Sequence, residues 1–115
     1  MNEPTPEMVT YDRLLGFLGL CRRAGRVVCG TPQVCEALRG KEKPALVLYA
    51  ADVSAATGKR IRSKSDFYGV AARALPVGGA ELAHALGKSG HLAACAVLDA
   101  SMAHALQEKL SAAGL

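Results

Sequence analysis

The chain has 115 residues, 50% of them hydrophobic and only 4% aromatic, which predicts one ordered domain with an aliphatic core. Its formal net charge is +4, and residues 22–64 carry ten Lys or Arg against three acids, an excess that favours a polyanionic partner over a plain solvated surface. The acidic, proline-containing start MNEPTPEM is unlike a secretory signal, and no apolar run approaches the ~20 residues of a membrane span, so a cytoplasmic protein is expected.

The first elements are a helix and a short strand. Thr10 or Asp12 is predicted to cap the helix, and Gly25 is predicted to end it in the left-handed conformation. Residues 27–29 are then the candidate strand.

A second helix follows at once. Thr31 is predicted as its N-cap, Pro32 suits the first helical position, and Gly40 ends it. The continuous apolar run of residues 45–50 is typical of a strand that is buried on both faces.

The alternation continues to the end of the chain. A third helix is predicted from a cap at Ser54 to about Asp66, an extended segment over 70–75 and a short helix over 81–86. Residues 92–99 contain another apolar strand, expected at the centre of its sheet, and residues 101–112 form the last helix.

Alternating helices and strands define the predicted fold class. Residues 10–115 are expected to form a single-domain three-layer α/β/α sandwich with a mixed sheet of about four strands, preceded by a flexible tail over residues 1–9. The apolar strands favour a sheet that is mostly parallel and covered on both faces.

The stretch GRVVCGTPQVCEAL contains a candidate binding site at the start of the second helix. The first N–H groups of a helix have no intrahelical partner and carry partial positive charge. Gly30 permits close approach to the backbone, and the Gln33 amide both donates and accepts hydrogen bonds. A phosphate or a base edge would fit here, with a plain helix cap as the alternative.

Two further features favour a nucleic-acid partner. One predicted helix carries a group of neighbouring cations without an intervening acid: Lys59, Arg60, Arg62 and Lys64. The loop LPVGGAEL places apolar Pro76 and Val77 before a flexible Gly78-Gly79 pair, a loop suited to stacking on unpaired bases. The alternative for Val77 is an ordinary turn with its side chain directed inward.

The sequence contains no convincing catalytic or metal site. The cysteines at 21, 29, 35 and 95 have no C-x-x-C spacing and lie in apolar surroundings, so free buried thiols are expected. No P-loop or dinucleotide fingerprint is present, and the histidines do not combine with the cysteines at metal-ligand spacing. We therefore predict a protein that is not an enzyme and has no cofactor.

The chain resembles a superfamily of RNA-binding ribosomal proteins, the archaeal and eukaryotic L-seven-Ae and L-thirty-e group, and within it the small bacterial members of the YlxQ type. The resemblance covers roughly residues 11–110. It rests on the order and spacing of LLGFLGLCRRAGRVVCGTPQVCEALRGKEKPALVLYAADVSAATGKRI, FYGV, LPVGGAELAHALGK and AVLD.

This resemblance implies an α/β/α sandwich that binds kink-turn RNA, a sharply bent helix–bulge–helix element, as part of a ribosomal or translation-associated ribonucleoprotein. The glycine of the family's first motif matches Gly30, and its Ala-Asn-Glu falls on residues 31–33, so Gln33 would contact a base at the bulge. The family's second RNA-contacting loop matches residues 77–79, where Val77 would pack against a flipped base.

The predicted RNA contacts are the helix start, seven cations and three loop residues: Gly30, Thr31, Pro32, Gln33, Val34, Arg22, Arg23, Arg26, Lys59, Arg60, Arg62, Lys64, Val77, Gly78 and Gly79. Glu36 departs from the family, which has a lysine there, and its carboxylate would weaken the attraction of phosphate. RNA is the expected partner, with the ribosome or translation factors as further partners, no membrane contact, and a monomeric state.

Two alternatives remain open. The chain would be a protein-interaction adaptor of the translation machinery if Glu36 and Pro32 mark a site that has lost tight kink-turn binding. It would be an accessory domain if it serves an RNA-modifying enzyme in trans.

Overall fold

The computed structural model describes the backbone of residues 6–114 and the side chains of residues 11–114. The elements in chain order are α1 (Pro6–Arg23), β1 (Val27–Cys29), α2 (Thr31–Arg39), β2 (Leu46–Tyr49), α3 (Ala55–Phe67), β3 (Ala72–Ala74), α4 (Gly79–Ala85), β4 (Ala94–Val97) and α5 (Ala100–Ala112). None of the helices in this stretch is long and apolar enough to cross a membrane.

The strands form one mixed sheet in the order β1-β4-β2-β3. β2 and β3 are parallel, with Val47 opposite Ala72, whereas β4 is antiparallel to both β1 and β2. The predicted mixed four-stranded sheet is confirmed, but the expectation that it would be mostly parallel is wrong. β1, β2 and β3 do point the same way. β4 is reversed because the connection through the short helix α4 returns to the end of the sheet from which it left.

Two helical layers cover the sheet, which confirms the predicted α/β/α sandwich. α2 and α3 cover one face, where Val34, Leu38 and Ile61 pack with Val47 and Ala96. α1, α4 and α5 cover the other face. The leucines of that second cluster are fully or almost fully buried: Leu14, Leu18, Leu46, Leu48, Leu75, Leu82, Leu86, Leu106 and Leu110.

β4 is the central strand that its uninterrupted apolar run predicted. Ala94 and Ala96 belong to the cluster under α2 and α3, Cys95 and Val97 belong to the cluster under the other layer, and all four are 0% exposed. A strand that is buried on both faces has no position for a polar side chain, which accounts for its composition.

α1 begins at Pro6, earlier than the predicted start at Thr10 or Asp12. Proline suits the first turn of a helix because the N–H that it lacks would have no intrahelical partner there. Residues 6–9 therefore belong to a helix and not to the predicted tail, and residues 1–5 of that tail lie outside the described residues. Gly25 follows the helix with φ +75°, the left-handed conformation that was predicted.

The four cysteines are free thiols; Cys21, Cys35 and Cys95 are buried as predicted, whereas Cys29, on the edge strand β1, is only half-buried. Desolvation by the surrounding core raises the pKa of the Cys21 and Cys95 thiols above the ordinary range. A raised thiol pKa disfavours the reactive thiolate, so these side chains act as small apolar core residues.

Candidate nucleic-acid interface

One end of the sheet gathers the segments that the sequence singled out. Gly30, immediately after β1, donates its N–H to the Ala94 carbonyl at 2.9 Å. Ala94 lies opposite Tyr49, which lies opposite Ala74, and these four residues define what we call the Gly30 end of the sheet. Because β1, β2 and β3 all point to this end, α2, α3 and α4 all begin there.

The start of α2 is open, but it is built differently from the prediction. Gly30 is the N-cap, with φ +100° and ψ 145°, a combination that essentially only glycine adopts. Thr31 is therefore the first helical residue and not the predicted N-cap. The reason is that the hydrogen bond from Gly30 to Ala94 extends the pairing of β1 as far as the glycine.

The five predicted contact residues of this helix start do not contribute equally. Pro32 and Gln33 are exposed, Gly30 and Thr31 are half-buried, and Val34 lies in the core. The N–H of Gly30 is used by the sheet, and the N–H of Val34 donates to the Gly30 carbonyl at 2.9 Å. Neither of these two groups is free to bind a ligand, although N–H groups near residues 30–34 were predicted as contacts.

The groups that remain are close together. Within the described residues no side chain caps α2, so the N–H groups of Thr31 and Gln33 have no partner. The Gln33 side chain folds back over the helix start, since a Cβ added to Gly30 would overlap its Oε1. An exposed amide thus lies beside two unpaired backbone donors.

α3 lies next to α2 on the same face of the sheet and brings cations to this site. The Arg62 guanidinium lies 5.8 Å from the centroid of the Tyr49 ring, which places it at the Gly30 end. Lys59 and Arg60 are exposed, and Lys64 is partly exposed. No ion pair joins these four cations to an acidic side chain in the described part of the chain, so their positive charge is not neutralised internally.

The other predicted cations lie away from this end. Arg22 and Arg23 end α1, which belongs to the opposite helical layer. Arg26 precedes Val27, and Val27 pairs with Val97 at the far end of the sheet. The cationic segment is therefore continuous in sequence but divided in space, because the chain passes through β1 from one layer to the other. The expectation of one basic surface is wrong in this respect.

The loop between β3 and α4 also differs from its prediction. Val77 is only 6% exposed and packs in the core, and its carbonyl accepts the Ala51 N–H at 2.8 Å. The expectation that its side chain is exposed for base stacking is wrong, and the inward orientation that was its alternative is observed. Gly78 and Gly79 have ordinary negative φ angles, so unusual dihedrals do not explain them.

A carboxylate that the sequence analysis missed explains the glycine pair. Asp52 Oδ1 accepts the Gly79 N–H at 2.9 Å, and Asp52 Oδ2 lies 3.2 Å from His91 Nε2. A Cβ on Gly78 would lie 2.9 Å from Asp52 Oδ2, and a Cβ on Gly79 would overlap the His91 ring. The pair Gly78-Gly79 in a loop was the signal that the backbone closely approaches another group, but the sequence does not identify that group.

The Asp52 carboxylate joins three loops at the Gly30 end. The hydrogen bond from Gly79, and next the one from His91, lower the pKa of Asp52 below its ordinary value of 3.8. His91 Nε2 and Asp52 also form an exposed ion pair when the imidazole is protonated. Within residues 11–114 no group of three His, Cys, Asp or Glu side chains is placed to hold a metal ion.

The fold and the site together define a small α/β/α domain with an open helix start beside a cationic helix. No protein-family model and no curated protein matches the chain. Among solved structures, a protein of unknown function from Bacillus halodurans is 26% identical with a TM-score of 0.77, over 85% of this chain and 96% of its own. The Giardia lamblia 15.5kD RNA binding protein is 15% identical with a TM-score of 0.67, over 99% of this chain and 91% of its own, and its likeness is one of fold.

Replacing Gly30 tests the dependence of the helix start on its backbone geometry. We expect Gly30→Ala to lower the free energy of unfolding by about 2 kcal/mol, because the methyl group meets Gln33 and the dihedral angles are strained. The matched control is Gly16→Ala, where an added Cβ meets nothing within 4 Å. This control is expected to stabilise α1 by about 0.5–1 kcal/mol. Urea unfolding measures both, and equal effects of the two substitutions would contradict the assignment.

The Asp52 carboxylate predicts a pH dependence of stability. Because its pKa is lowered in the folded state, its charged form stabilises the fold above the ordinary pKa, and this contribution is lost as the pH falls through the lowered pKa. The variant Asp52→Asn keeps an acceptor for Gly79 but has no charge. Wild type is expected to be more stable near neutral pH, and the difference is expected to shrink as the pH falls below the ordinary pKa of 3.8. Urea unfolding at a series of pH values checks this, and a difference that does not change with pH would disprove it.

Proposed function

We propose that this chain is a non-catalytic RNA-binding protein that recognises a kink-turn-like, bulged RNA at the Gly30 end of its sheet. The observation that carries the proposal is the pair of unpaired N–H groups at Thr31 and Gln33 beside the unneutralised cations of α3. The shared fold with an RNA-binding protein from Giardia lamblia supports it. So does the resemblance of the sequence to the L-seven-Ae and L-thirty-e superfamily.

The chemistry of the helix start suits a bulged RNA. The two free donors and the positive end of the α2 dipole attract a phosphate or a base acceptor. The Gln33 amide can donate and accept at the same time, as a base edge requires. In a continuous RNA duplex the base edges lie in grooves that side chains contact poorly, whereas a bulge exposes them. Gln33 therefore supplies the preference for bulged RNA.

The cations of α3 have a different role in this proposal. Lys59, Arg60 and Arg62 lie on the same face of the sheet as the helix start and bind phosphates. Such contacts position the RNA without selecting its sequence. Arg22 and Arg23 end α1 in the opposite helical layer and Arg26 lies at the other end of β1, so these three cations are not grouped with those of α3.

The loop of residues 77–79 has a structural role in this proposal and does not itself contact the RNA. Val77 anchors the loop in the core, and Gly79 ties it to Asp52. We propose that the loop fixes the position of the start of α4 at the same end of the sheet as the start of α2. Base stacking on the Val77 side chain, as the resemblance implied, would require the loop to open.

The proposed setting is a translation-associated ribonucleoprotein in the cytoplasm, to which the chain binds as a monomer without a cofactor. Glu36 is exposed and lies one helical turn after Gln33, so its carboxylate opposes a phosphate at this site. An adaptor that binds proteins in place of RNA is the competing reading of this residue, and the RNA-binding experiments below decide between the two.

Two substitutions separate recognition from phosphate binding. With a kink-turn RNA and a plain duplex as ligands, Gln33→Ala is expected to reduce the preference for the kink-turn about tenfold, because a base contact is lost. Arg60→Gln is expected to weaken the binding of both RNAs to the same extent. It is also expected to reduce the magnitude of the slope of log affinity against log salt concentration by about one.

Fluorescence anisotropy at several salt concentrations measures both effects. An unchanged preference in Gln33→Ala would disprove the role of Gln33. Absent or salt-insensitive binding of both RNAs by wild type would disprove the proposed function and favour the adaptor.

Reversing the charge of Glu36 tests the position of the site. We expect Glu36→Lys to strengthen kink-turn binding several-fold and to steepen the salt slope by about one, because a repelling carboxylate becomes an attracting ammonium. The control Glu108→Lys changes the net charge equally, but on α5 in the opposite layer. This control is expected to leave the affinity nearly unchanged. Equal gains in both variants would show that net charge, and not the Gly30 end, determines binding.

A further inference from the structure

Phe67, the last residue of α3, is the most exposed large hydrophobic side chain in the described part of the chain, at 81%. The only comparable residue there is Leu20, at 55% on α1. A phenylalanine ring that is left almost entirely in water contributes little to the core, so it is accessible to a partner.

The Phe67 ring is held in place by its neighbours. It makes an edge-to-face contact with Tyr68, with the ring centroids 4.9 Å apart and an interplanar angle of 88°. On the Tyr68 ring lies Lys43 Nζ, 4.6 Å from the centroid, and this ammonium donates to the Leu38 and Gly40 carbonyls at 3.0 Å each. The exposed Phe67 ring therefore packs on Tyr68, and the Lys43 ammonium packs on the Tyr68 ring in turn.

Two cations of α3 lie on the same side of the helix as Phe67. Lys64 lies one turn before Phe67, and Arg60 one turn before Lys64, so their side chains are neighbours on the helix surface. Asp66 is the nearby acid on the same helix, and it forms no ion pair with these cations. A partner that combines flat apolar surface with negative charge fits this setting, and an unpaired nucleotide has both.

We propose that Phe67 is a second RNA contact, on which an unpaired base of the bound RNA stacks while Arg60 and Lys64 bind the flanking phosphates. This inference rests on the proposed function, since the same RNA would be held at the Gly30 end. α3 has 13 residues, so the two contacts are about 20 Å apart along the helix axis. The bound RNA therefore extends from the bulge as a single strand along α3.

Three RNAs test this contact. The first is a kink-turn core with blunt ends, and the others carry in addition a single-stranded extension of about six nucleotides, on either the 5′ or the 3′ side. Wild type is expected to bind one of the extended RNAs about tenfold more tightly than the core, the gain that stacking of one base provides. Phe67→Ala is expected to remove this gain and to leave binding of the core unchanged. Leu20→Ala, which truncates the other exposed side chain, is expected to change neither.

A second variant gives a direct signal from the ring position. The chain contains no Trp, so Phe67→Trp introduces a single indole fluorophore. Stacking of a base on this indole is expected to quench its fluorescence with the extended RNA and not with the blunt core. Quenching by single-stranded RNA alone would support the Phe67 contact even if the kink-turn core did not bind, and the absence of core binding would then count only against the proposed function.

Three results would overturn the inference while leaving the proposed function intact. The first is an extension-dependent gain that persists in Phe67→Ala. The second is self-association of wild type in light scattering that Phe67→Ala abolishes, which would assign the ring to contact with a second copy of the chain. The third is a blue shift of the indole on anionic phosphatidylserine vesicles without quenching by RNA, which would assign the ring to a lipid surface.

Discussion

The hydrogen bond from the Gly30 N–H to the Ala94 carbonyl determines how the rest of the candidate site is built. It requires Gly30 to turn out of β1 with positive φ, so that the helix begins at Thr31 without a side-chain cap. The same geometry leaves room for the Gln33 amide over the glycine. A threonine N-cap, which the sequence favoured locally, would have satisfied one of the free donors. The sheet therefore keeps the helix start open at some loss of helix stability.

A second constraint acts at the same end of the sheet. The Asp52 carboxylate holds the start of α4 through Gly79 and the segment before β4 through His91. The contact with Gly79 is partly buried and the contact with His91 is exposed, and each joins a different loop to the segment after β2. With Val77 anchored in the core, the loops at this end have little freedom to rearrange. A rigid surface loses little conformational entropy when it binds a ligand.

Local signals predicted the fold better than the site. The Ser54 cap, whose hydroxyl accepts the Thr57 N–H, and the buried strand β4 depend on residues that are close in sequence. The antiparallel direction of β4 depends on the path of the connection through α4. The N-cap of α2 is Gly30 and not the predicted Thr31 because Gly30 forms a hydrogen bond with Ala94, which is distant in sequence. The inward orientation of Val77 and the carboxylate that meets Gly79 likewise come from tertiary packing. Sequence spacing contains no information about which layer covers which segment, which is also why the cationic segment was wrongly expected to form one surface.

Two cations of α3 repel each other in the free protein. Arg60 and Lys64 are like charges four residues apart, an arrangement that destabilises a helix by about 0.2–0.5 kcal/mol, and no described acid neutralises them. An acid at position 60 would relieve this repulsion, whereas Lys64 lies in the last turn of α3, where a cation also interacts favourably with the helix dipole. A polyanion lying along α3 removes the same repulsion and adds attraction. Salt then has opposite effects in the two states: it screens the repulsion in the free helix and weakens the attraction in the complex.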